Sequence, residues 1–110
     1  MKNDKRNTDL RERLLDFSVS VLKFLTVLPY RKEYDVLRYQ LSKSSTSIGA
    51  NYEESQNTTY REFIQRVKIA LREANETKYW LSIIKKLDII NEKQVDKIHR
   101  RIIEFKFLIS

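Results

Sequence analysis

The chain has 110 residues, enough for one domain around one core, and its single Gly, single Pro and 34% charged residues are the composition of a helical protein. The absence of Cys excludes disulfide staples, thiolate metal sites and a cysteine nucleophile, and it fits a reducing cytosol. The net charge of +7 and a pI near 9.7 give a surface that attracts polyanions, chiefly nucleic acid or acidic membrane, although a merely solvated basic surface would look the same in composition.

The start, MKNDKRNTDLRER, is charged and has no apolar run behind it of the kind a signal peptide needs. The first helix is then read from apolar residues at alternating spacings of three and four: Leu10, Leu14, Phe17, Val21, Phe24 and Leu28. Asp9 is the expected cap, with Glu12 reaching back to it, and Pro29 is expected to stop the helix near Leu28. Its apolar-rich segment is 15 residues long and contains Asp16 and Lys23, too short and too charged for a membrane span. A second apolar line, Leu15, Val19 and Leu22, lies on another face. An exposed line of this kind marks a contact with another subunit, unless the core stripe is simply wider than the spacing suggests.

The second helix reads Tyr34, Leu37, Leu41, Ser44 and Ile48, with Tyr52 one turn on. Its middle is small and polar: Ser42, Ser44, Ser45, Thr46, Ser47 and Gly49. Gly costs about 1 kcal/mol relative to Ala inside a helix, so close approach of two helix backbones is the expected reason for it. A loop over 43–49 is the alternative, against which Ile48 and Tyr52 keep helical spacing.

After the polar turn at 55–58, Thr59 with Glu62 forms the signature of a capping box. The third helix follows as Phe63, Val67, Ala70, Ala74, Thr77, Leu81 and Ile84. Asn91 with Gln94 opens the fourth, which reads Val95, Ile98, Ile102, Phe105 and Ile109. Three short connections between four helices, at about 9–28, 33–54, 60–87 and 92–109, predict a single all-α domain: an antiparallel up-and-down four-helix bundle.

The residues for catalysis are few. His99 is the single histidine, and without a second His or a Cys a nucleophile–base pair has little to build on. A bundle di-iron site needs two Glu-x-x-His pairs, whereas this chain offers Asp96-x-x-His99 once. A single Gly cannot build a phosphate loop. The expectation is a protein that is not an enzyme and that holds no metal or other cofactor.

Asn51 and Glu54, and Glu73 and Glu76, are neighbours three apart on helices two and three. A structural polar network is the expected role, with Arg38, Arg72 or Lys78 as partner for a half-buried carboxylate. A paired-carboxylate acid–base site is the alternative, and nothing supplies it with a nucleophile. Tyr79, Trp80 and Phe107 lie off the core stripes and suit a subunit interface, or stacking on unpaired bases. Trp80 joins Leu15, Val19 and Leu22 as the candidate oligomer interface. For nucleic acid, the candidate phosphate contacts are Lys68, Arg72, Lys78, Lys85 and Lys86 on helix three, and Lys93, Lys97, Arg100 and Arg101 on helix four. The charge is uneven: residues 1–8 carry +2, residues 9–55 balance, residues 56–90 carry +3 and residues 91–110 carry +2.

Two segments carry a family resemblance. Gln40-Leu41 followed by Ser44-Ser45-Thr46-Ser47-Ile48-Gly49-Ala50-Asn51-Tyr52-Glu53-Glu54 resembles the hallmark of the four helix bundle proteins, also called the 23S rRNA intervening-sequence proteins. Phe63, then Lys68-Ile69-Ala70-Leu71-Arg72-Glu73-Ala74 and Glu76-Thr77-Lys78-Tyr79-Trp80-Leu81, resembles the second hallmark, and with Leu28-Pro29 the likeness covers nearly the whole chain. Ser55 stands where many relatives have Gly. The resemblance implies a ring-like homopentamer, with kinship to nucleic-acid-binding accessory proteins of diversity-generating retroelements, while the cytoplasmic location is expected from the absence of Cys and of a signal peptide. It carries over no catalytic residues. The expected function is therefore a non-enzymatic, basic homo-oligomer that binds RNA or DNA without membrane attachment. The alternative is a scaffold ring that docks a partner protein.

Overall fold

The computed structural model describes residues 5–110, with side chains from Asp9 onward. The charged start that predicts no targeting signal lies partly outside the described residues, at 1–4. Four helices follow one another, α1 Lys5–Leu25, α2 Asp35–Ser55, α3 Tyr60–Leu87 and α4 Glu92–Ile109, with a 3₁₀ turn at Lys32–Tyr34 leading into α2.

The boundaries correct two expectations. Asp9 does not cap α1; it lies inside the helix, because no Gly or Pro between Lys5 and Asp9 halts the helix at that point. The other end comes three residues before Leu28. Pro29 has no N–H to return to the Leu25 carbonyl, so the chain tightens first. The N–H groups of Thr26, Val27 and Leu28 bond to the carbonyls of Lys23, Phe24 and Leu25 at 3.1, 3.1 and 3.2 Å, an i to i−3 pattern. Arg38 then clasps the connection. Its Nη2 donates to the Pro29 carbonyl at 3.1 Å, and its guanidinium lies 4.7 Å from the Tyr30 ring centroid.

The later caps form in half. The Thr59 hydroxyl accepts the Glu62 N–H at 3.3 Å, while the Glu62 carboxylate accepts from the Thr58 hydroxyl at 2.8 Å instead of closing the box. Asn91 Oδ1 accepts the Lys93 N–H at 2.8 Å. At the other end of α3, Asp88 takes the left-handed conformation (φ 54°, ψ 42°) that turns the chain toward α4.

The stripes read from the sequence meet in one core, from Leu10 and Leu14 at one end to Leu28 and Ile84 at the other, except that Phe63 stays half-buried outside it and stacks on Tyr60. Phe17 of α1 and Phe105 of α4 pack edge to face with centroids 5.3 Å apart. The α2–α3 seam is the broadest contact, and it is built from small groups. Ser44, Ser45 and Thr77 are buried, and Thr77 Oγ1 lies 3.0 Å from Ser44 Oγ and 2.8 Å from the Glu73 carbonyl. Residues 43–49 are helical throughout, so the loop alternative is excluded.

Candidate nucleic-acid interface

Cross-helix bonds set which faces of α3 and α4 remain outside. Lys85 Nζ of α3 donates to Asp96 of α4 at 2.9 Å and lies 3.5 Å from Glu92, and near the other end Lys106 of α4 donates to Asn75 Oδ1 at 2.5 Å. These contacts run antiparallel and pin the seam between the two helices. The acids of α4 nearest α3 are thereby matched by a cation of the seam itself, and the outer cations are left without them.

On α3, Lys68 and Lys86 are eighteen residues apart, so five turns bring them back to one azimuth about 27 Å apart, with Arg72 and Tyr79 within about 40° of the same line. All four side chains are exposed. On α4, Lys93, Lys97 and Arg100 are exposed along one outer face. Among the described residues, the ion pairs are Arg11–Glu53, Arg13–Glu104 and Lys85 with Glu92 and Asp96. None of them engages Lys68, Arg72, Lys86, Lys93, Lys97 or Arg100.

Three of the nine candidate cations stand apart from this set. Lys85 is held by its two carboxylates, and the Asp96 hydrogen bond raises its pKa. Lys78 is half-buried beside His99. Arg101 turns back over the core: its guanidinium lies 5.2 Å from the Phe17 centroid and 6.0 Å from that of Phe105, and Nη1 donates to Ser20 Oγ at 3.0 Å. His99 is half-buried, and burial pushes its imidazole below the usual range, with Lys78 adding to the effect and Asp96 opposing it. Among the described residues no three His, Asp or Glu side chains gather as a metal site.

Asn51, Glu54, Glu73 and Glu76 do not share one network. Asn51 donates to the Ser47 carbonyl at 2.9 Å and accepts from Arg66 Nη1 at 3.1 Å, which ties α2 to α3. Glu54 is exposed. Glu73 is half-buried, and burial raises its pKa, with Glu76 adding to the shift while Lys43 and Arg72 oppose it. Arg38, expected as a partner for such a carboxylate, is instead engaged at Pro29. Glu76 accepts the Trp80 indole N–H at 3.4 Å. No pattern in the sequence points to Arg66, because its partner lies across a turn, fifteen residues away, where no helical spacing signals contact.

The second apolar line of α1 is exposed in the isolated chain: Leu15 by 59%, Val19 by 43% and Leu22 by 45%. Leu15 borders a groove of about 700 Å³ between α1 and α2, whose lining includes Ser18, Thr46 and Ala50, with the Arg11–Glu53 ion pair at one end. Arg11 holds the Glu53 carboxyl below its usual range through that bond. Trp80 is half-buried against the core and meets Tyr79 edge to face at 5.2 Å. Among the described residues no helix is long and apolar enough to cross a membrane.

Comparison with known proteins agrees with this architecture. No curated protein matches the sequence. A solved structure from Bacteroides thetaiotaomicron, a protein with unknown function from the S23 ribosomal protein family, superposes with a TM-score of 0.83 at 33% identity, over 91% of this chain and 94% of that one. Residues 6–110 match the family described as 23S rRNA-intervening sequence protein. The four helices, the solved relative and the match over almost the whole length together place the chain in the 23S rRNA-intervening sequence protein family.

Proposed function

We propose that this protein is a non-enzymatic, basic homo-oligomer of the cytoplasm that binds nucleic acid through the outer faces of α3 and α4. The observation that carries the reading is the set of six exposed cations, Lys68, Arg72, Lys86, Lys93, Lys97 and Arg100, left unpaired after the seam has matched its own charges. Cations already held by a carboxylate gain little from a phosphate, whereas free ones release the counterions of the polyanion when they bind it.

The exposed Leu15, Val19 and Leu22 support assembly with further copies of the chain, because a line of this kind in water costs free energy that a neighbour removes. Five subunits is the size we propose, on the family resemblance. Solution mass measurement tests it: Leu15→Glu with Leu22→Glu should reduce the assembly to the monomer mass, and a wild-type monomer at high concentration would refute it.

Nucleic-acid binding is tested by titrating labelled rRNA fragments at rising salt. Affinity should fall steeply between 50 and 200 mM, by about tenfold or more if several phosphates are engaged. Lys68→Glu with Arg72→Glu should weaken binding further. No retardation at micromolar protein would refute the reading and favour a scaffold ring that docks a partner protein.

A further inference from the structure

We propose that the outer ridge of α3 takes single-stranded nucleic acid, with an unpaired base stacked on Tyr79. This rests on the nucleic-acid reading above and adds the class of ligand. Tyr79 is 61% exposed on the same azimuth as Lys68 and Lys86, among cations that no acid pairs. Arg72 precedes it and Lys86 follows it by seven residues each, about 10.5 Å along the helix on either side. A strand held at both cations therefore passes the ring, and a base that is not engaged in pairing can turn onto it.

The ring is braced. Trp80 meets it edge to face (centroids 5.2 Å, interplanar angle 74°), and Trp80 itself is anchored against the core and through its N–H to Glu76 at 3.4 Å. A ring already ordered loses little entropy when a base stacks on it, which is the advantage of a preformed platform. Glu73 and Glu76 flank the ridge on the side of α2, where Lys43 also lies close to Glu73. They repel phosphates there and leave the other flank, toward α4, for the backbone. A duplex offers its phosphates to the same cations but keeps its base faces inside the stack, so Tyr79 distinguishes the two forms. Every base has a face to offer, and the recognition is tolerant of sequence.

The test uses the full chain with oligonucleotides of one length and sequence, as RNA and DNA single strands and as the corresponding duplexes, at one salt concentration. Single strands should bind at least about fivefold tighter than duplexes, and Tyr79→Ala should remove about fivefold or more of the single-strand affinity while leaving duplex affinity unchanged. Tyr79→Phe should retain it, and Trp80, the single tryptophan, should change its fluorescence on binding of a single strand and less so on binding of a duplex. The Tyr79→Ala loss is read separately on RNA and DNA: loss on either supports the proposal and loss on neither overturns it. Salt-dependent binding that is equal for single strands and duplexes overturns this inference alone. Absence of binding to every oligonucleotide overturns it together with the basic-face reading.

Discussion

Gly49 of α2 lies against the backbone of Leu14 in α1: a β-carbon on Gly49 would stand 3.4 Å from the Leu14 Cβ and 3.5 Å from its carbonyl oxygen. One methyl group thus fits in van der Waals contact with α1. Gly49→Ala should be neutral or stabilise by up to about 1 kcal/mol, because helix propensity rises while the new contact is no more than snug. Gly49→Val should destabilise by about 1–3 kcal/mol, since its branches meet the α1 backbone. Urea unfolding of both variants checks this, and equal midpoints for Ala and Val would contradict close α1–α2 approach as the reason for the glycine.

The α2–α3 seam depends on a second small pair. Ser44 and Thr77 are both buried, with their hydroxyl oxygens 3.0 Å apart. Thr77→Val leaves the buried Ser44 hydroxyl without this partner, at a cost of about 1–3 kcal/mol, whereas Ser44→Ala leaves Thr77 its bond to the Glu73 carbonyl and should cost less. Ser44→Ala and Thr77→Val should each destabilise. The double variant should cost less than the sum of the two, because no orphan remains. Strict additivity in a double-mutant cycle would show that the hydroxyls are not coupled.

The core stripes could be read from spacing because each helix buries one face, and alternating steps of three and four keep Leu14, Phe17 and Val21, or Ile98, Ile102 and Phe105, on that face. The exposed line of Leu15, Val19 and Leu22 followed from the same arithmetic. What spacing could not supply was the partner of each polar group. Arg101 is one position from Arg100, and both read as outer cations in a basic stretch, yet one lies over Phe17 and the other in solvent. That choice is made by aromatic rings of α1 and α4, brought together only by packing. Asn51 likewise found Arg66, and Lys85 found Asp96, across turns whose geometry a linear pattern does not encode.

Arg100 and Arg101 should therefore separate binding from stability. Arg101→Ala loses the contacts with Phe17, Phe105 and Ser20 and should cost about 1–2 kcal/mol of stability. Arg100→Ala removes an exposed side chain and should leave stability within about 0.5 kcal/mol, while lowering affinity for nucleic acid and making it less salt-dependent. Unfolding midpoints and salt-dependent binding measured on both variants decide the matter. The reverse assignment would place Arg101 on the binding face.

Stability should carry two opposed pH signatures. Burial, helped by Glu76, raises the Glu73 pKa above its unfolded value, so the folded state holds this proton more readily than the unfolded chain. The stability associated with Glu73 is present below the unfolded value, about 4.3, and is lost as pH rises through the folded one. Glu73→Gln should accordingly be more stable than the wild type at pH 7, with the gap closing in acid. His99 runs the other way. Burial and Lys78 lower its pKa, so its contribution is present above the unfolded value of about 6.5 and is lost as pH falls through the folded one. His99→Gln should flatten the decline of the wild type below pH 6.5. Urea midpoints from pH 4 to 8, at one protein concentration so that assembly stays constant, measure both effects. A Glu73→Gln variant that loses stability at neutral pH would mean that this carboxylate is paired rather than crowded by its neighbour.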